Sequence, residues 1–217
     1  MSAATADASW TLLELCSIHD VASETTGVDL DEILATVDWD AVIALSLRHR
    51  LMPRLADFLI RSELMSTAPK AFRRPLTYAL NTNRFNCDAT VREAQRVVAA
   101  VRGAGGVVAC TKGVVFQQSL YGGFGGRDFG DIDLMIDERD RHAVSEALPK
   151  LGYRPHAEHD FVTNTVVSRS RQELALHRMY PDHLPHFVRE VAGHTLPFFD
   201  VDTCFNITWF GARGRSR

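Results

Sequence analysis

Apolar positions in residues 38–63 recur near a helical period at Val42, Ile43, Leu47, Leu51, Leu55 and Phe58, and Pro53 predicts a kink or break among them. A second helical stretch is predicted over residues 69–103. There Val91, Ala94, Val98 and Val101 repeat at three- and four-residue steps, and Gly103 and Gly105 end the run. The pattern then changes. Val107, Val108, Ala109 and Cys110 form an apolar run too short for a helix and rich in β-branching, which predicts a strand. A short helix over residues 114–120 comes next, and then four glycines, Gly122, Gly123, Gly125 and Gly126, read as a flexible loop beside a site. Residues 131–136, Asp-Ile-Asp-Leu-Met-Ile, alternate as a strand with two acids on one face. Asp137 is placed to cap the next helix, whose stripe is Val144, Ala147, Leu148 and Leu151 and which Gly152-Tyr153 ends. Further strands are predicted over residues 161–167, 173–178 and 197–210.

The change of pattern predicts an α+β chain, with a helical N-terminal region (1–103) followed by a small mixed-sheet core flanked by helices (104–217). The composition sharpens this. Of 217 residues, 46% are apolar and 24% charged, so the chain can bury enough surface to offset the entropy of ordering. A formal charge of -3 argues against a nucleic-acid binder that is basic over its whole surface, and leaves room for a local basic groove. No stretch is apolar enough to span a bilayer, so no membrane partner is expected. The first 20 residues lack a basic leader and carry Asp7, Glu14 and Asp20, unlike a secretory signal. Cys16, Cys87, Cys110 and Cys204 are scattered without a Cys-x-x-Cys, as suits free thiols in a reducing cytoplasm.

The sharpest chemical feature is Asp131 with Asp133. Two carboxylates at i and i+2 of a strand share a face and can hold a hard cation between them. Phosphoryl transfer uses such pairs to place divalent metals on either side of an in-line displacement. The neighbourhood supports that reading. Lys112-Gly113 lies between an apolar strand and a helix, where a glycine lets the backbone approach a phosphate and free helical N–H groups attract anions. Arg127 stands four residues before Asp131, within reach of a triphosphate over the metals.

Cys110-Thr111-Lys112-Gly113, then Leu120-Tyr121, then Arg127-x-x-x-Asp131-Ile132-Asp133-Leu134, then Leu151-Gly152-Tyr153 resembles the signature of the poorly characterised nucleotidyltransferases. These are similar to the wider DNA polymerase beta-like superfamily, with Lys-Gly in place of its usual Gly-Ser turn. Weaker similarity extends upstream to the pair His49-Arg50. The resemblance implies a small mixed sheet flanked by helices, two Mg²⁺ (or Mn²⁺) ions and an NTP substrate. Asp131 and Asp133 would bind metal, with Lys112, Gly113 and Arg127 near the phosphates. Active members add a third acid that ligates metal and helps deprotonate the acceptor. Asp202 in Asp202-Thr203-Cys204-Phe205 is the preferred counterpart, with Cys204 where the family often has histidine; Asp200 and Glu173 are alternatives.

Seven of the nine histidines lie after residue 141, but His156-x-x-His159 and His183-x-x-His186 have no partner at zinc-ligand spacing. Pro155, Pro181 and Pro185 make both segments read as loops. Arg213, Arg215 and Arg217 read as a solvated basic tail. The expected activity is transfer of a nucleoside monophosphate to an acceptor, whether small molecule, protein or tRNA, with release of pyrophosphate. The alternative is a module on the same fold that binds nucleotide or a partner without turnover. Only about 15 residues lie beyond Asp202, so gripping the base or acceptor would fall to the N-terminal helices or to a second subunit in a homodimer.

Overall fold

A computed structural model describes residues 3–17, 30–170, 172, 174, 175 and 183–205. The predicted strand over residues 173–178, the acid Glu173 and the basic tail lie outside these, apart from Leu174 and Ala175. The chain divides into two compact units that alternate along the sequence. One comprises Met1–Cys87 and Gln117–Asp128, the other Asp88–Phe116 and Phe129–Arg217.

The first unit is helical. It holds α1 (Ala3–Ser17), α2 (Leu30–Thr36), α3 (Trp39–Arg48), α4 (Met52–Arg61) and the first part of α5 (Lys70–Gly103). Asp38 starts α3 by accepting bonds from the backbone N–H groups of Asp40 and Ala41 at 3.0 and 3.2 Å. The predicted break between α3 and α4 falls at Arg50, which adopts a left-handed φ of 59°. Pro53 stands in the first turn of α4, where its missing N–H is harmless, so it begins a helix rather than kinking one. Leu12, Leu13, Val42, Leu55, Leu59, Leu76 and Leu80 fill the core of this unit.

One charge cluster is buried beside that core. Asp57 accepts from Arg54 at 3.1 Å, pairs with Arg61 at 2.9 Å and lies 3.9 Å from Arg84. The glycine-rich segment is tied down, not loose. Asn83 donates to the carbonyls of Gly125 and Arg127 at 2.6 and 2.9 Å, and Arg84 donates to that of Phe124. A side chain at Gly125 would meet the Arg84 backbone 2.8 Å away, so only glycine lets the segment lie this close to α5.

The second unit carries β1 (Val108–Cys110), β2 (Asp131–Ile136), α7 (Arg141–Lys150), β3 (Arg154–Pro155), β4 (Ala157–Asp160), β5 (Thr165–Ser168), β6 (His183–Glu190) and β7 (Phe198–Cys204). The short helix α6 (Lys112–Ser119) comes directly after β1 and so takes in Lys112 and Gly113, which the sequence pattern left ahead of it. The main sheet runs β1-β2-β7-β6-β3, with β2 and β7 parallel and the other pairings antiparallel. It is the mixed sheet expected, and the α+β class holds. Ile132, Leu134 and Val201 are fully buried on one face of the sheet, and Val97, Val101, Val144 and Leu148 are buried in flanking helices.

Two predicted segments differ. The strand expected over residues 161–167 is the second arm of a hairpin, β4–β5. Residues 161–164 are its turn, because Asp160 captures the Val162 N–H and the Thr163 hydroxyl at 2.8 Å each and Asn164 adopts a φ of 54°. The segment with His183 and His186 is a strand, not a loop. Pro185 sits in it at a register shift, where the ladder tolerates a missing N–H. Asp137 does act as a cap: its side chain accepts from the Arg139 N–H of a 3₁₀ turn (Glu138–Asp140) that leads into α7.

Gly152 and Tyr153 have separate tasks at the end of α7. Gly152 takes a φ of 87° as the helix closes, and the Tyr153 N–H returns to the Leu148 carbonyl. The buried Tyr153 hydroxyl then donates to Glu93 of α5 at 2.8 Å, and Arg189 of β6 pairs with the same carboxylate at 2.9 Å. Burial and the neighbouring Glu93 charge hold the Tyr153 hydroxyl well above its ordinary pKa, so it stays a donor.

Asp57→Ala strands the buried Arg54 guanidinium and is expected to lower stability by about 3–5 kcal/mol. Tyr153→Phe removes one hydrogen bond and is expected to lower it by about 1–2 kcal/mol. Urea unfolding followed by circular dichroism measures both, and equal effects would contradict this ranking.

Candidate functional site

The second unit gathers acids on one face of its sheet. In β2, Ile132, Leu134 and Ile136 enter the core, so the alternation of the strand sends Asp131 and Asp133 to the opposite face. In β7, Val201 and Thr203 are buried and Asp200 and Asp202 alternate with them. The two strands are parallel and in register, with Asp131 beside Asp200 and Asp133 beside Asp202. Side chains so paired share a face roughly 4.8 Å apart. The structure therefore brings both predicted acids of β2 together with both candidates on β7.

Lys112 joins them. Its backbone takes a left-handed φ of 46° at the start of α6, and its ammonium donates to Asp133 Oδ1 at 2.5 Å. That hydrogen bond, with the charges of the surrounding acids, keeps the ammonium more firmly protonated than usual. The Thr111 N–H bonds the Asp133 carbonyl at 2.9 Å, which fixes the turn to β2. Gly113 is required by close packing, since a Cβ there would lie 2.8 Å from the ring of Phe129.

Asp131 is held above the ordinary carboxylate range, first by burial and then by the charges of Asp133 and Asp200. Such mutual repulsion marks a face that gains from a bound cation. Asp202 Oδ1 is shielded from solvent and accepts no hydrogen bond. The donors are hard carboxylate oxygens, the ligand type that Mg²⁺ and Mn²⁺ take, and this orphaned oxygen fits a cation or a proton donor from outside the chain. Among the described residues, no three metal-ligating side chains already converge on one point.

His186 is the residue that sequence reasoning missed. From β6 its Nδ1–H donates to Asp200 Oδ1 at 3.0 Å, and its Nε2 stands 3.8 Å from Asp202 Oδ1. The bond to Asp200 raises its pKa above the ordinary histidine value. Pro185 made this segment look like a loop, and local spacing carries no sign of strand pairing. Arg127 belongs to the helical unit, where its carbonyl accepts from Asn83. Arg50, the upstream residue of the resemblance, forks onto Asp128 there at 2.9 and 3.1 Å.

Gly113→Ala is expected to displace Phe129 or α6 at a cost of about 1–3 kcal/mol. It should also lengthen the bond between Lys112 and Asp133. Thermal unfolding and a crystal structure of the variant would check this, and an unshifted midpoint would show that the packing has slack.

No curated protein and no solved structure matches the chain. A family model described as an uncharacterised nucleotidyltransferase matches residues 35–199. That is about three quarters of the sequence. It takes in Lys112, Gly113, Arg127, Asp131 and Asp133 and stops one residue short of Asp200. With so long a match carried on the same ordered elements as the acid-bearing face, the chain belongs to the family of uncharacterised nucleotidyltransferases.

Proposed function

We propose that the protein is a metal-dependent nucleotidyltransferase that moves a nucleoside monophosphate from an NTP to an acceptor hydroxyl or phosphate and releases pyrophosphate. Membership of the family supports nucleotidyl transfer with a nucleotide as substrate. The observation that carries the finer reading is the parallel register of Asp131 and Asp133 with Asp200 and Asp202 on one sheet face. Asp131, Asp133 and Asp202 are the ligands assigned to Mg²⁺ or Mn²⁺. When bound, such cations would neutralise the charge that develops in the displacement.

The residues of the chain supply positioning and proton handling. The Lys112 side chain is 61% exposed although its ammonium bonds Asp133, so it can turn to a phosphate oxygen once that carboxylate is occupied. Gly113 offers a first-turn N–H of α6 to phosphate oxygens. Asp202, ligating the cation beside the acceptor, would help deprotonate the attacking oxygen. The acceptor oxygen bonds the α-phosphorus as the bond to the bridging oxygen breaks, and the electron pair leaves with pyrophosphate.

A second reading, nucleotide binding without turnover, is favoured by one observation: Lys112 already neutralises Asp133 where a cation would sit. Pyrophosphate release separates the two. Incubation with each NTP and Mg²⁺ or Mn²⁺ is expected to release pyrophosphate from the wild type. Asp131→Asn with Asp133→Asn should lower the rate by at least about 10³-fold, the scale of losing electrostatic stabilisation of the transition state. Lys112→Ala should mainly raise KM. Nucleotide-dependent thermal stabilisation with no pyrophosphate from the wild type would establish the second reading.

A further inference from the structure

The sheet face carries four carboxylates, and the reading above employs three of them. We infer that His186 is a positioning residue that ties off Asp200 and thereby leaves Asp202 as the third acid of the metal site. This inference rests on the metal-dependent reading. The geometry behind it is a β-bulge. Leu184 pairs with Thr203, but Phe187 pairs with Val201, so Pro185 and His186 together face the single residue Asp202.

The bulge decides which way the imidazole points. Were the register of His183 and Leu184 continued without it, His186 would pair with Val201, which is fully buried on the core face. The extra residue hands that core position to Phe187, which is buried, and delivers His186 to the acid face. Proline suits this place because a bulged residue need not donate to the ladder. The backbone of His186 is held as well, since its carbonyl accepts from the His156 N–H at 3.0 Å.

The contacts of the ring then divide the two acids of β7. Nδ1–H bonds Asp200 Oδ1 at 3.0 Å and satisfies it within the protein. Nε2 lies 3.8 Å from Asp202 Oδ1, too far for a hydrogen bond, so that oxygen stays unclaimed. Asp202 stands in register with Asp133, and Asp200 with Asp131, so backbone placement alone does not choose between them. His186 does. With Oδ1 bonded to the ring, Asp200 has fewer acceptor sites to offer a cation than Asp202 has, and it orients the imidazole.

The test is Mn²⁺ binding without nucleotide, followed by electron paramagnetic resonance, on wild type, Asp200→Asn, Asp202→Asn, and Asp202→Asn combined with His186→Ala or with His186→Asn, each checked for folding by circular dichroism. Asp202→Asn is expected to weaken Mn²⁺ by at least about 10-fold, and adding His186→Ala to that variant should restore much of the binding, because Asp200 is then free to act as a ligand in its place. Asp200→Asn should bind close to wild type, because its amide oxygen still accepts from the ring. His186→Asn, which keeps a donor near the Nδ1 position and so keeps Asp200 occupied, should not restore binding to Asp202→Asn. Equal losses in Asp200→Asn and Asp202→Asn would overturn the inference, even if the double variants failed to fold. A folded Asp202→Asn with His186→Ala that binds no better than Asp202→Asn would overturn it alone. No Mn²⁺ binding by the wild type would overturn it together with the metal-dependent reading.

Discussion

Like charges set side by side on neighbouring strands repel, and that repulsion is the constraint around which the sheet unit is arranged. Two carboxylates about 5 Å apart near a protein surface oppose each other by about 3 kcal/mol. The register of β2 with β7 creates two such pairs at once. The fold answers with two cationic or hydrogen-bonding groups, each from a different element. Lys112 comes from the start of α6 and takes Asp133; His186 comes from the bulge of β6 and takes Asp200. Asp131 feels Lys112 only through space, and Asp202 Oδ1 faces His186 Nε2 at 3.8 Å without a hydrogen bond. A face that folds with surplus negative charge and an unclaimed oxygen is suited to a ligand that brings positive charge with it.

The residues around this face are held by more ordinary forces. Phe129 packs where a side chain on Gly113 would sit, so the strand-to-helix turn that presents Lys112 depends on a glycine. The Glu93 carboxylate joins α5, the end of α7 and β6 through Tyr153 and Arg189, and so braces the strand that carries His186. The helical unit solves a similar problem with Asp57, which gathers Arg54 and Arg61 beside the core. It also pins the glycine-rich segment through Asn83 and Arg84. Lys112, Gly113, Ile132, Asp133, Leu134, Gly152 and Tyr153 of the family signature each have a physical task of their own, whether packing, backbone conformation or charge.

Much of this was legible beforehand where the physics is local. The helical period of residues 38–63, the alternation of residues 131–136, the capping by Asp137 and the closing turn at Gly152 each depend on neighbours within a few residues. Errors arose where a residue type has one local meaning and another in context. Pro185 reads as a loop residue until β7 lies beside it and offers a bulge. The glycines after Leu120 read as slack until Asn83 and Arg84, some 40 residues earlier, bond their carbonyls. The strand over residues 161–167 began too early because Asp160 captures the chain ahead of it in a turn.

The sequence by itself determined the acid-bearing strand, the Lys-Gly turn and the family, because these rest on spacing along one stretch of chain. Resemblance made Asp202 the preferred partner for Asp131 and Asp133, with Asp200 and Glu173 as alternatives, but no spacing along the chain places any of them beside that pair. Tertiary structure alone brought Asp200 and Asp202 into register with the first pair and turned His186 toward them. Strand order and a one-residue bulge are properties of pairing between distant segments, and no pattern within either segment encodes them.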